Sequence, residues 1–278
     1  DKGYMLSLYS DNKYLYYILR SKKEYISSLG RGVAQKNINL TILKELKIPV
    51  PPLYEQTIIV KELDQQMEII ENSEKILDSL EKIGINETYF LSNEYIPLID
   101  VIKINPRYDL TDLSKNFYVD MSNIDEYTGE IKGLSSRSSI QSGLSRFRDG
   151  DILFARITPC TENGKVAIVN GLNKETGIGS TEFIVLSPNE NINSKWLYFF
   201  LKNPKIKDGA VKSMNGTTGR QRVPKSYFEK LKIPKIDLSQ QIRVSNELQA
   251  YINTKKDLKN LINLSEKTIQ ELISRLYF

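Results

Sequence analysis

Histidine is absent from all 278 residues, and cysteine and tryptophan occur once each, as Cys160 and Trp196. Without histidine the commonest general base and metal ligand is missing, which excludes Ser-His and Cys-His catalysis. A single cysteine excludes an internal disulfide framework and any cysteine-based zinc site, and suits a reducing cytoplasm. There is no run of about 18 apolar residues, and the start carries no basic and apolar leader pattern. The sequence therefore reads as having neither a membrane span nor a signal peptide. What is there is ordinary for a folded protein: 40% hydrophobic and 26% charged residues, with enough length for two domains.

Net charge is +5, and it is unevenly placed. Residues 95–235 hold 21 lysines and arginines against 15 acidic residues, so the basic excess belongs to that stretch alone. A one-sided basic excess is either a solvated surface or the electrostatic footprint of a nucleic-acid binder.

The chain repeats itself. Leu231-Lys232-Ile233-Pro234 echoes Leu46-Lys47-Ile48-Pro49, and Gln240-Gln241 echoes Glu55-Gln56, both at an offset of 185. Upstream, Trp196-Leu197-Tyr198-Phe199-Phe200-Leu201 answers Tyr14-Leu15-Tyr16-Tyr17-Ile18-Leu19 at an offset of 182. A period this long describes two domain-sized copies, each followed by a long helix, and predicts a pseudo-two-fold molecule. Aligned through the repeat, Asp1 falls near Phe183, so residues 95–182 have no upstream counterpart. The expectation is a fragment, or a first unit completed by another chain.

Two helices dominate the periodicity. From Tyr54 to about Glu81, Ile59, Leu63, Gln66, Ile70, Ser73, Leu77 and Leu80 alternate spacings of four and three, the seam of a coiled coil. Gly84 and Asn86 close it. From Ser239 to Tyr277, Val244, Leu248, Tyr251, Lys255, Leu258, Ile262, Ser265, Ile269, Leu272 and Leu276 do the same without a break. At 1.5 Å per residue the second helix is roughly 55 Å long, whereas a domain of about 140 residues is about 30 Å across. Much of it needs a partner helix, and the symmetry of the repeat makes that pairing antiparallel.

Residues 95–235 read as the complete globular unit, of α+β class. Phe117 to Met121, Asp151 to Arg156, Val166 to Val169 and Thr181 to Leu186 are strand-like between turn residues, Lys195 to Leu201 is helical, and Gly216, Gly219 and Pro224 mark a loop. A helical run around Tyr14 to Ser28 ends at Gly30-Arg31-Gly32.

In this order the pieces resemble the specificity subunit of type I restriction-modification systems. Particular phrases match: Asn105-Pro106-Arg107-Tyr108; Gly150-Asp151-Ile152-Leu153-Phe154-Ala155-Arg156 followed by Asn163-Gly164-Lys165; Ser180-Thr181-Glu182-Phe183; and Gly219-Arg220-Gln221-Arg222-Val223. The resemblance implies a non-catalytic subunit whose target-recognition domains each read half of a split double-stranded DNA site. It implies residues 1–52 as the end of a first recognition domain, 53–85 as the central spacer helix, 90–236 as the second recognition domain and 237–278 as the distal spacer helix. Adenine methyltransferase subunits would dock on the helices, restriction and translocase subunits would join in the full complex, and the helices could also self-associate. No cofactor, metal or membrane partner is expected.

Arginine and glutamine are the side chains that fork onto guanine and adenine edges, and Arg220, Gln221 and Arg222 sit in a loop framed by glycines and a proline. Thr217, Thr218, Ser180 and Thr181 are candidate phosphate donors, and Arg107, Arg156, Lys165 and Lys212 are candidates for phosphate or base contact. Each of these has a plain surface role as its alternative. Tyr118 and Tyr127 read as core or surface aromatics, since duplex readers need no stacking platform. Two rivals differ in class. Asn105-Pro106-Arg107-Tyr108 is one residue from the Asn-Pro-Pro-Tyr tetrapeptide of adenine methyltransferases, but Arg107 replaces the second proline and Gly177-Ile178-Gly179 is too short a cofactor signal. A coiled-coil scaffold that binds protein without reading DNA explains the helices, but not the basic excess of residues 95–235.

Overall fold

The structure, a computed structural model, describes residues 10–29, 44, 46–84, 87–109, 117–133, 135–136, 143–173, 175–217 and 219–277. Gly30-Arg31-Gly32, Asn86 and Thr218 lie outside them. The chain divides into two compact units, one of Asp1–Lys82 with Asn253–Phe278 and one of Ile83–Ile252.

The larger unit is built around an antiparallel sheet of β2 (Ile102–Ile104), β9 (Phe183–Pro188), β6 (Ile152–Ala155) and β7 (Val166–Ile168), in the spatial order β2-β9-β6-β7. Side chains alternate across a strand, and here both faces are covered. Ile152, Phe154, Ile184 and Leu186 share one apolar cluster with Trp196, Phe199 and Leu248. Leu153, Ala155, Phe183 and Val185 share the other with Val119, Ile124 and Phe147. That double burial explains why β6 reads as an unbroken apolar run. The strand-like runs of the sequence correspond to β3 (Phe117–Val119), β6, β7 and β9, with shifted ends.

The second layer is the sheet β4-β3-β8-β5, in which β3 and β8 (Gly177–Gly179) run parallel, while β4 (Ser135–Ser136) and β5 (Ser145–Phe147) pair antiparallel to them. A Cβ added at Gly177 would lie 2.3 Å from the Phe147 ring. The Gly-Ile-Gly tripeptide therefore serves close packing of the strand. A two-stranded ribbon of β1 (Tyr95–Pro97) and β10 (Lys232–Pro234) ties the two ends of the unit together.

Helices α4 (Ser194–Lys202), α5 (Pro204–Lys212) and α6 (Lys225–Lys230) follow the strands. Asn193 caps α4 by accepting from the Trp196 N–H at 3.0 Å, and all six residues from Trp196 to Leu201 are buried. Asn203 ends α4 and caps α5 from the Lys205 N–H at 2.9 Å. The Asn-Pro pair at Asn203 and Pro204 is a helix-start signal that the periodicity reading passed over.

In the smaller unit α1 (Asn12–Ser21) and α2 (Lys23–Leu29) replace the single helix expected around Tyr14 to Ser28. The Ser21 hydroxyl donates to the Ile18 carbonyl at 2.8 Å, a side-chain bond that competes with helix continuation. The two spacer-type helices are α3 (Leu53–Ile83) and α7 (Leu238–Ser274), the latter closing in a 3-10 turn at Arg275–Tyr277. Within the smaller unit they are antiparallel: Lys255 Nζ lies 3.2 Å from Glu81 near the end of α3, while Leu63 near its start shares a cluster with Ile273 near the end of α7. Every seam position read from the sequence is buried or half-buried, including Ser73, Lys255 and Ser265.

Candidate nucleic-acid interface

Three segments of the larger unit converge beyond the ends of β6 and β9. Arg156, one residue past β6, has its backbone held on both sides: its N–H donates to the Glu182 carbonyl at 2.9 Å and its carbonyl accepts from Val223 at 2.8 Å. Thr158 donates to the Gln221 carbonyl at 3.1 Å. The loop from Asn215 to Arg222 is closed by a reciprocal pair, Asn215 N–H to Arg222 O at 3.0 Å and Arg222 N–H to Asn215 O at 2.9 Å. Gly216 has φ +124°, and a Cβ there would lie 2.9 Å from the Arg220 carbonyl, so the turn requires glycine. Arg220 and Thr217 stand exposed on this loop, and Gln221 is half-buried.

Arg222 forks onto Glu182: Nη2 lies 2.7 Å from Oε1, and Nε lies 3.1 and 2.9 Å from the two carboxylate oxygens. This hydrogen bonding holds the Glu182 carboxyl below its usual range, against the opposing effect of burial, with charge attraction from Arg222 and Arg156 adding to it. The pair ties the 215–222 loop to the start of β9. The Ser180 hydroxyl accepts from the Glu182 N–H at 3.2 Å, shaping the turn before it.

Beside this junction is a cleft of about 500 Å³ lined by Asn105, Arg107, Arg146, Arg156, Thr181 and Phe183 among others. Two of the candidates of the sequence reading, Arg107 and Thr181, are exposed at its surface, and Arg156 is half-buried in its wall. The Asn-Pro-Arg-Tyr segment presents Arg107 there. Asn105 pairs with β9 through its backbone N–H, 2.7 Å from the Val185 carbonyl, and through Oδ1, which accepts from the Val185 N–H at 2.9 Å. The Tyr108 hydroxyl lies 3.1 Å from Asp151 Oδ1 and 3.0 Å from the Ser187 hydroxyl, and the Arg148 guanidinium lies 4.5 Å from the centre of its ring. Tyr108 is thus an anchor of the loop rather than a platform for a base, and burial raises the pKa of the Asp151 carboxyl it meets.

Arg146, which the sequence reading missed, lines the same cleft, with Nη1 donating to the Tyr108 carbonyl at 2.6 Å. Its signal was available: Ser145-Arg146-Phe147-Arg148 alternates, and a buried Phe147 turns both arginines outward. Other candidates lie elsewhere. Lys165 Nζ donates to the Met121 carbonyl at 3.0 Å, so it holds a loop. Lys212 is exposed in the last turn of α5 and is not among the residues lining the cleft. Tyr118 is buried in the second layer and Tyr127 is 78% exposed at a loop tip.

The larger unit is α+β and carries a cation-lined cleft, and its closing helix and helical end are repeated in the same chain. The chain belongs to the type I restriction modification DNA specificity family, whose domain model matches residues 5–82 and 89–265. It is 34% identical over 155 residues to the type I restriction enzyme EcoAI specificity subunit of Escherichia coli, covering 54% of this chain and 26% of that one. To the EcoEI specificity subunit of the same organism it is 34% identical over 158 residues, again covering 54% and 26%. Among solved structures, the type I restriction-modification S subunit from M. genitalium is similar in fold, with a TM-score of 0.60 at 19% identity over 96% of this chain and 73% of that one. The match spans about a quarter of the length of the first two relatives.

Proposed function

We propose that this chain reads double-stranded DNA by sequence as the specificity component of a type I restriction-modification complex, itself without a catalytic centre. Residues 90–236 act as a target-recognition domain, and the helices of 53–85 and 237–278 set a spacer and dock adenine methyltransferase subunits. The observation that carries this reading is the convergence of Arg107, Arg146, Arg156 and Thr181 on one cleft beside the loop bearing Arg220, Gln221 and Arg222, within the stretch that holds the basic excess. Arginine forks recognise phosphates and guanine edges alike, and glycine-framed loops let backbone approach a groove.

The test is duplex binding by the whole chain across a salt series. Neutralised phosphates release counterions, so log affinity should fall linearly with log salt, and Arg220→Ala with Arg222→Ala should weaken binding or relax sequence choice. Retention of no duplex even at low salt would sink the reading and favour a protein-binding scaffold. Binding left unchanged by the double substitution would remove the 215–222 loop from the interface.

A further inference from the structure

Arg156 carries a feature that its neighbours do not. Its Nε is buried and has no hydrogen-bond partner among the described residues, although the side chain lines an open cleft. Glu182 acts on it through space, and both oxygens of that carboxylate accept hydrogen bonds from Arg222. A buried guanidinium N–H without an acceptor is costly, so a turn of the Arg156 side chain toward an acceptor held in the cleft would recover that cost.

The cleft restricts what that ligand can be. Among the described residues that line it, Arg107 and Arg146 stand with Arg156 against one exposed acid, Asp109. Arg146 has Nη1 committed to a carbonyl. Three guanidiniums disfavour any edge that presents an N–H, which removes the adenine N6 and cytosine N4 edges. In the major groove and along the backbone, two groups offer paired acceptors and no donor: the O6/N7 edge of guanine and the oxygens of a phosphate.

Resting on the DNA-reading function above, we propose that Arg156 is the residue through which this cleft grips such an acceptor-only group, and that Glu182 is a positioning residue. Held by Arg222, the Glu182 carboxylate leaves the Arg156 guanidinium unpaired. Freed from Arg222, it would turn to Arg156 and neutralise it.

Four variants of the whole chain test this, each checked for an unchanged melting temperature, with selection from a randomised duplex pool and a salt series as readouts. Arg156→Gln should weaken binding roughly 10-fold or more. Arg156→Lys keeps the charge and loses the fork. If the group is a guanine edge, the lysine variant loses preference at one base pair with the salt slope intact. If the group is a phosphate, the lysine variant binds nearly as the parent, and Arg156→Gln lowers affinity for every sequence with a slope smaller by about one. Arg222→Gln should weaken binding through the freed carboxylate, and Glu182→Gln added to it should restore most of the loss. Failure of that rescue would overturn the positioning role. Full binding and unaltered base preference in Arg156→Gln would overturn the assignment of Arg156 while leaving the proposed function standing; no duplex binding by the parent chain would overturn both.

Discussion

The two copies of the repeat keep one polar joint and diverge in what covers it. In the larger unit Gln241 is 1% exposed; its Oε1 accepts from the Asn193 N–H at 2.8 Å, and its Nε2 donates to the Ile236 carbonyl at 3.0 Å and to the Asn191 carbonyl at 3.1 Å. In the smaller unit Gln56 is 0% exposed; its Oε1 accepts from the Asp11 N–H at 2.8 Å and its Nε2 donates to the Pro51 carbonyl at 2.7 Å. Asp11 and Asn193 are the N-caps of α1 and α4. In each copy the glutamine that starts the long helix therefore locks the start of the short one. The bulky residue three positions beyond each cap, Tyr14 or Trp196, is fully buried. On the opposite face the copies part: Tyr198 is 4% exposed against the strands, while Tyr16 is 53% exposed. The joint between helices is what duplication preserved, and the sheet layer is what distinguishes one copy from the other among the described residues.

The comparison breaks if the two glutamines are not equivalent. Gln241→Leu strands one N–H and two carbonyls in the interior, at about 1–3 kcal/mol each before relaxation, so a net loss of about 4 kcal/mol is expected. Gln56→Leu should cost a similar amount. Urea unfolding of both variants checks this, and a neutral result for one alone would mean that the shared geometry is coincidental. Next in size, Leu63 and Leu248 are equivalent by the 185-residue offset and are 0% and 1% exposed. Truncating either to alanine should cost about 3 kcal/mol.

The divergent face is sharpened by Lys202, whose counterpart by the 182-residue offset is the exposed Arg20. Lys202 Nζ donates to the Gly164 carbonyl at 3.0 Å and to the Glu126 carbonyl at 2.5 Å, and burial lowers its pKa from 10.5 to about 8. Below pH 8 the ammonium is charged in both states and burial penalises the fold. Between about 8 and 10.5 the native state has released its proton while the unfolded chain has not, so stability rises with pH through this window. Relative to Lys202→Met, the parent should gain about 2 kcal/mol between pH 7 and pH 10.5, within the upper bound set by the shift. Denaturation at both pH values reads this difference, and a flat difference would assign Lys202 an exposed or carboxylate-paired state. Arg20→Met should show no such gain.

Much of this was legible in the sequence, and the reason is periodicity. Both long helices, their antiparallel pairing and the seam positions follow from spacings of four and three sustained over many turns, and the duplication follows from Leu-Lys-Ile-Pro and the glutamines after it. The sheet layers were less legible, because strands of three or four residues carry too few alternations to show which face meets which layer. The cleft was half legible. Arg107, Arg156 and Thr181 were singled out by residue type, but their meeting depends on backbone bonds between segments some 65 to 80 residues apart, from Asn105 to Val185 and from Arg156 to Val223. The Arg222–Glu182 fork was invisible for the same reason, although both residues stood in phrases already marked.

The smallest effect isolates the sheet layer from the joint. Tyr198 donates to the Thr128 carbonyl at 2.9 Å, and burial raises its phenol pKa far above the usual value, so the hydroxyl remains a neutral donor throughout the ordinary pH range. Tyr198→Phe preserves the ring and its packing and leaves one carbonyl without its donor, at a cost of about 1 kcal/mol. Tyr16→Phe removes a hydroxyl that accepts from Arg20 Nη1 at 3.0 Å in solvent; water replaces the contact, and the cost should be near zero. Because the two tyrosines share a repeat position and a backbone setting, the gap between the two losses measures what the strand layer adds to that helix face. Equal losses from calorimetric melting would show that the 125–130 loop carries no stabilising contact to α4.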